Sequence, residues 1–145
     1  MAVTIKTERE IELMRIAGRY LGEVHEELAK ALRPGMTTKD VDRLGEKLIR
    51  ERGCIPSFLN YEGYPASICV SVNDEVVHGI PSKKRILKDG DIVSLDAGLI
   101  YQGYHSDAAR TWGVGVITDE ARRLIEVTKQ SFFEGIRYAK PGYHL

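Results

Sequence analysis

The stretch Ser94–Asp107, SLDAGLIYQGYHSD, decides how the rest of the chain is read. It sets Asp96 and Asp107 eleven residues apart within strand-like runs that flank the turn signal Gln102-Gly103. Lys88-Asp89-Gly90 marks another turn ahead of Asp91–Ala97, and the second run continues from Tyr104 to Gly113, so the segment reads as a β-hairpin. A turn at Tyr101-Gln102 puts Asp96 directly opposite Asp107, whereas a turn at Gln102-Gly103 puts the two on a diagonal. In both registers the carboxylates leave the same face, because side chains alternate with a period of two along a strand.

Like charges on neighbouring strands repel, so a pair in this position calls for a cation between them. Carboxylate oxygens suit magnesium, manganese or ferrous iron, and added imidazole ligands bring in cobalt and zinc. The plainer alternative is a pair of solvated surface aspartates, or one aspartate paired with Arg110. Val93, Leu95 and Leu99 on one strand and Ala108, Ala109 and Trp112 on the other predict a largely buried hairpin, which weighs against that alternative.

Working outward, Thr7-Glu8-Arg9-Glu10 has the Thr-x-x-Glu form of a capping box. Ile11, Met14, Ala17, Leu21, Val24, Leu28 and Leu32 then recur at helical spacing, predicting a helix from about Glu8 to Leu32 that Pro34-Gly35 ends. Thr37 or Thr38 caps a second helix carrying Val41, Leu44, Leu48 and Ile49, with Gly53 as its stop. Ile68, Val70 and Val72 alternate as in a strand, and Val76-Val77 extends the sheet after Asn73-Asp74. Thr118 opens a third helix whose apolar positions run from Ala121 to Ala139 before Pro141-Gly142. The order predicts a single α+β domain over residues 1–145, an antiparallel sheet with amphipathic helices on one face. A faint internal echo links Ala29–Thr38 to Ile136–Leu145, each ending a helix in basic residue-Pro-Gly, and hints at a second half to follow.

Lysine plus arginine equals aspartate plus glutamate at 21 each, so no charge bias points to nucleic acid or an anionic membrane. No apolar run approaches the roughly 20 residues of a membrane span, and the opening MAVTIKTERE lacks a secretory pattern, so a cytoplasmic setting is expected. Cys54 and Cys69 lack C-x-x-C spacing and are expected to be thiols. His25 and His144 are expected to be solvated.

Three segments carry a resemblance: Tyr61–Pro81 (YEGYPASICVSVNDEVVHGIP), Leu87–Gly98 (LKDGDIVSLDAG) and Tyr101–Gly115 (YQGYHSDAARTWGVG). In order and spacing, and in the helical start through RPGMTT, they resemble the N-terminal half of the type I methionine aminopeptidases, which are pita-bread metallopeptidases. The resemblance spans essentially the whole chain and implies half of a pita-bread fold. It implies that Asp96 ligates one of two divalent metal ions (Co, Mn, Fe or Zn) and that Asp107 bridges both. It implies that His78, in VVHGIP, is catalytic and contacts the substrate near the scissile peptide, although a lone histidine is more often structural. Tyr61, Tyr64 and Cys69 fall at positions resembling the pocket for the methionine side chain, with Phe58 beside them. Aromatic residues next to Gly63 and Pro65 also suit a loop packed on a core. His105, two residues from Asp107, shares its face by alternation, as a pocket residue or as one of a polar face.

The family's metal site has five protein ligands, and the resemblance assigns the remaining histidine and two glutamates to a C-terminal half that this sequence does not contain. The expected partner is the N-terminal methionine of peptides or nascent proteins, with metal binding weakened and activity low or absent for the chain alone. Pairing of two copies into a homodimer would complete the half fold. Two other functions fit the fold: a non-catalytic protein-binding module, and a proline-specific peptidase. Retained Asp96, Asp107 and His78 argue against the first, and YEGYPASICVSVN looks more like the methionine enzymes than the second.

Overall fold

A computed structural model describes residues 4–144. Helix α1 spans Glu8–Ala31, and its capping box forms: Thr7 Oγ1 accepts from the Glu10 amide while the Glu10 carboxylate accepts from the Thr7 amide at 2.7 Å. Helix α2 spans Thr38–Glu51 with Thr37, rather than Thr38, as its cap, and Asp40 completes the same reciprocal arrangement. Each helix buries one stripe, Ala17, Leu21, Val24 and Leu28 on the first and Val41, Leu48 and Ile49 on the second.

The stripes cover one face of an antiparallel sheet formed by β1 (Ile55–Pro56), β2 (Ile68–Val72), β3 (Ile92–Tyr101) and β4 (Tyr104–Gly113). Strand β3 is the spine. Strand β4 pairs along its whole length on one edge, and β1 and β2 share the other edge end to end. Odd-numbered residues of β3 (Val93, Leu95, Ala97, Leu99) enter the core with Ile68, Val70 and Val72, while the even-numbered residues face away from the helices.

Three expectations are corrected here. The hairpin is buried on its helix-covered face only: on β4, Asp107 and Ala109 are exposed, because no described element covers the other side. Val76-Val77 does not extend the sheet. Asn73 closes the ladder at Ile92 and turns the chain with φ 58°, leaving the two valines 84% and 63% exposed. His25 is not solvated but 0% exposed, since it lies on the buried stripe of α1 between Leu21 and Leu28. His144 is exposed, as expected, and both cysteines are free thiols. Helix α3 (Asp119–Ile136) forms behind its Thr118 cap yet buries none of its residues, so its apolar positions Leu124, Phe132, Phe133 and Ile136 face solvent.

Two buried polar side chains tie the helices to the sheet. Asp42, 1% exposed on α2, accepts from the amides of Ser67 and Ile68 at 2.8 and 3.2 Å and pairs with Lys39 at 2.7 Å. It thereby fixes the entry of β2. His25 on α1 lies 2.9 Å from the Ala108 carbonyl of β4 through Nε2. A carbonyl only accepts, so Nε2 carries the proton.

Burial pushes the His25 imidazole below its ordinary 6.5, helped by Arg110 and opposed by the bond to Ala108 and by Asp107. The folded state therefore holds His25 neutral while the unfolded chain protonates it below about 6.5, and the native state loses stability as pH falls through that value. Urea midpoints measured at pH 7.5 and 5.5 should fall across this interval in the wild type. The fall should be smaller in His25→Leu, and equal falls in the two proteins would contradict this account.

Candidate functional site

The register of the hairpin settles the placement of the aspartates. Asp96 faces Ala109 and Asp107 faces Gly98, with Gln102 and Gly103 (φ 47° and 87°) forming the two-residue turn, so the carboxylates are diagonal neighbours on the uncovered face. Cys69 of β2 is the cross-strand partner of Asp96 on that same face. Gly98, opposite Asp107, leaves room for the loop after β1. A Cβ there would come within 2.8 Å of the Phe58 ring and 3.0 Å of Ser57.

His78 reaches the site from the segment after β2, with a left-handed backbone at φ 59°. The next residue explains how the segment is held. The Gly79 amide donates to Ser71 Oγ at 3.0 Å, and its carbonyl accepts from the Val70 amide at 2.9 Å. A Cβ at 79 would lie 2.3 Å from the Val70 oxygen, so only glycine permits this approach. Tyr64 adds a second tether, donating toward the carbonyls of Ile68 and Gly79 at 3.2 and 3.3 Å.

These elements enclose a cavity of about 620 Å³ lined by Asp96, Asp107 and His78 together with Phe58, Tyr61, Tyr64 and Cys69. His105 borders an adjoining recess of about 260 Å³, shared with Phe58, Tyr61 and Asp107, and its Nδ1 lies 3.2 Å from Ser57 Oγ. All eight residues singled out in the sequence are thus brought to one region. Gly63 and Pro65, expected only to shape a loop, also line the cavity, as do Glu62 and Ile80, which the sequence did not single out. Glu62 (φ 47°) and Gly63 (φ 84°) lie in a short 3₁₀ turn, Tyr61–Gly63, for which the one available signal was the glycine between two tyrosines.

The lining holds three carboxylates and no lysine or arginine. Among the described residues neither Asp96 nor Asp107 forms an ion pair, and Arg110, the partner considered above, alternates to the opposite face from Asp107. Asp96 Oδ1 is buried with no hydrogen-bond partner. Burial, and then the charge of Asp107, raise the Asp96 carboxyl above the usual carboxylate range, with His78 opposing. Burial likewise raises the Cys69 thiol and drives the Tyr64 hydroxyl far above its ordinary value, so both are neutral apolar-side partners of the cavity. A half-buried carboxylate with a donorless oxygen, set diagonal to a second carboxylate, suits a cation. The donor set is incomplete, since no group of three or more His, Cys, Asp or Glu side chains gathers around a point among the described residues.

Comparison with known proteins gives one direction. The family described as "Metallopeptidase family M24" matches residues 12–145. The methionine aminopeptidase of Clostridium acetobutylicum is 54% identical over 143 residues, covering 99% of this chain and 57% of the relative. Among solved structures, the methionine aminopeptidase from Thermotoga maritima aligns with a TM-score of 0.92 at 41% identity, over 97% of this chain and 57% of that one. The methionine aminopeptidase from Rickettsia prowazekii aligns with a TM-score of 0.90 at 38% identity, over 93% and 54%. The chain spans just over half the length of the relatives it matches.

Uncompensated repulsion predicts that the site costs stability when no cation is bound. Asp96→Asn, which keeps the shape and removes the charge, should raise the thermal midpoint at pH 7 in chelator-treated buffer by a few degrees, on the order of 2–5 °C. A lowered midpoint in scanning calorimetry would show that Asp96 is stabilised by contacts other than a cation.

Proposed function

This chain belongs to metallopeptidase family M24 and matches the N-terminal half of type I methionine aminopeptidases, and from that premise we propose that it supplies the metal-anchoring and methionine-recognising part of a metal-dependent aminopeptidase acting on the N-terminal methionine of nascent proteins. The observation that carries the reading is the diagonal Asp96–Asp107 pair, with its donorless buried oxygen, on a cavity shared with His78.

Asp96 and Asp107 hold the divalent ions, two in the complete site, drawn from cobalt, manganese, iron or zinc. Bound there, a metal supplies Lewis-acid polarisation and a nucleophilic water of lowered pKa. The chain's own residues do the rest. Phe58, Tyr61, Tyr64 and Cys69 present an uncharged surface suited to a thioether side chain, and the raised pKa values of Tyr64 and Cys69 keep it uncharged at neutral pH. His78, held by the Gly79 tether, donates a hydrogen bond to the reacting peptide group and stabilises the charge that develops as its carbonyl is attacked. His105 and Ser57 border the recess beside Asp107, where the chain following the first residue would pass.

The remaining ligands, a histidine and two glutamates by family resemblance, lie outside these residues, so metal binding is weak and turnover by this chain alone is low. No described helix is long and apolar enough to cross a membrane, and the proposed setting is the cytoplasm. A purely protein-binding role leaves the unpaired carboxylates without a purpose, which favours the enzymatic reading.

Isothermal titration with Mn²⁺ tests the ligand assignment: the wild type should bind, and Asp107→Asn should bind at least about tenfold more weakly. Equal affinities would sink it. Self-association offers a further check. The exposed apolar face of α3 and the uncovered face of β4 favour pairing of two copies, with Asp96 and Asp107 of each meeting at a shared site. Size-exclusion mass measurement should then report a dimer favoured by Mn²⁺, whereas a monomer under both conditions rejects pairing.

A further inference from the structure

His25 is the one fully buried histidine, and the site described above makes no use of it. Its surroundings are apolar: Leu21, Val24 and Leu28 of α1 share its stripe, and Ala97 of β3, the cross-strand partner of Ala108, belongs to the same core. Nδ1 is buried with no partner, a cost that a leucine in the same place would avoid. An orphaned buried polar atom in a folded protein asks for an explanation, and such breaches of packing logic gather at functional sites. Among the described residues the one polar contact of the imidazole is the 2.9 Å bond from Nε2–H to the Ala108 carbonyl.

Ala108 directly follows Asp107, and the strand alternates there, so His25 grips the backbone from the core side while the Asp107 carboxylate leaves from the other. Strand β4 needs such a grip. It pairs with β3 on one edge only, its outer face is uncovered, and α3 scarcely touches it, so the bonds to β3 and the packing of α1 are what hold Asp107. Asp42 does the corresponding task for β2, fixing Ser67 and Ile68 directly ahead of Cys69.

We propose that His25 is a positioning residue for Asp107: its Nε2–H···O=C bond to Ala108 fixes the β4 backbone behind that carboxylate and so sets its place diagonal to Asp96. The proposal rests on the reading of Asp107 as a metal ligand for its consequence, and on the backbone contact alone for its geometry. Removing the bond should loosen Asp107 without unfolding the core.

Two variants test it. His25→Leu keeps the apolar volume and deletes both ring nitrogens, while His25→Gln keeps a donor of similar reach. At pH 7.5 His25→Leu should match or exceed the wild type in thermal midpoint. Its Mn²⁺ affinity should nonetheless fall by roughly 10- to 100-fold, the usual cost of losing a group that orients a ligand, and His25→Gln should recover most of it. Amide exchange in chelator-treated protein supplies a readout free of metal: the amides of Ser106, Ala108 and Arg110, which face β3 in the ladder, should exchange at least tenfold faster in His25→Leu, with β2 amides unchanged. Unchanged exchange at these three amides overturns the proposal, as does a loss of Mn²⁺ affinity matched by global destabilisation. If the wild type binds no Mn²⁺ but the exchange result holds, the ligand assignment of Asp107 fails while the positioning contact stands.

Discussion

One hydrogen-bonded register, that between β3 and β4, sets where the two aspartates stand on the cavity floor. The two-residue turn at Gln102-Gly103 requires left-handed backbone at both positions, and both have it. With that turn fixed, Asp107 falls opposite Gly98 and Asp96 opposite Ala109. A slip of one residue would send Asp107 to the core side, where Leu95 and Leu99 pack. The register also explains the glycine: with no side chain at 98, Phe58 and Ser57 close over the strand and become the edge of the pocket. Turn chemistry, strand parity and one missing Cβ together turn a hairpin into the floor of a site.

Much of this was legible because the signals were periodic. The two capping boxes, the apolar stripes of α1 and α2, and the hairpin repeat over many residues, so a misread position does little harm. Strand β1 and the 3₁₀ turn at Tyr61–Gly63 were not legible, since two or three residues carry no period. Their place depends on contacts with β3, made at Ile100 and Leu99 and by the Ser57 amide to the Gly98 carbonyl. His25 is a different kind of miss. It stands four residues after Leu21 and three before Leu28, so the helical period that places those leucines in the core places His25 there too, against the preference of its polar ring for solvent. In α3 the period does mark an apolar face, but nothing among the described residues covers it.

The site is poorly arranged as a piece of protein, and the cation proposed for it would relieve that arrangement. Three carboxylates line the cavity without a lysine or arginine among them, and the most enclosed of their oxygens lacks a donor. Burial and the neighbouring Asp107 both disfavour the charge on Asp96. A fold selected for stability alone would place a threonine or a basic partner there. The same surroundings raise the affinity for any cation that does arrive, because the energy lost to repulsion in its absence is recovered when it binds. The neutral wall of Tyr64 and Cys69 complements this, giving an uncharged side chain a place to lie next to a strongly charged centre.

The helices contribute more to this centre than an apolar backing. An edge strand with one covered face and one hydrogen-bonded neighbour is the part of a sheet most free to shift, and here it carries Asp107. Apolar packing from α1 resists separation but is weakly directional, so it does not by itself fix a strand along its length. A hydrogen bond to a carbonyl is directional and does. The Asp42 carboxylate on β2 and the His25 imidazole on β4 are bonds of this kind, delivered through the core from the opposite layer to the strands that flank Asp96. On the proposal made for His25, the buried side chains of Asp42 and His25 are thus the means by which a two-layer fold with one uncovered face holds its carboxylates at a fixed separation.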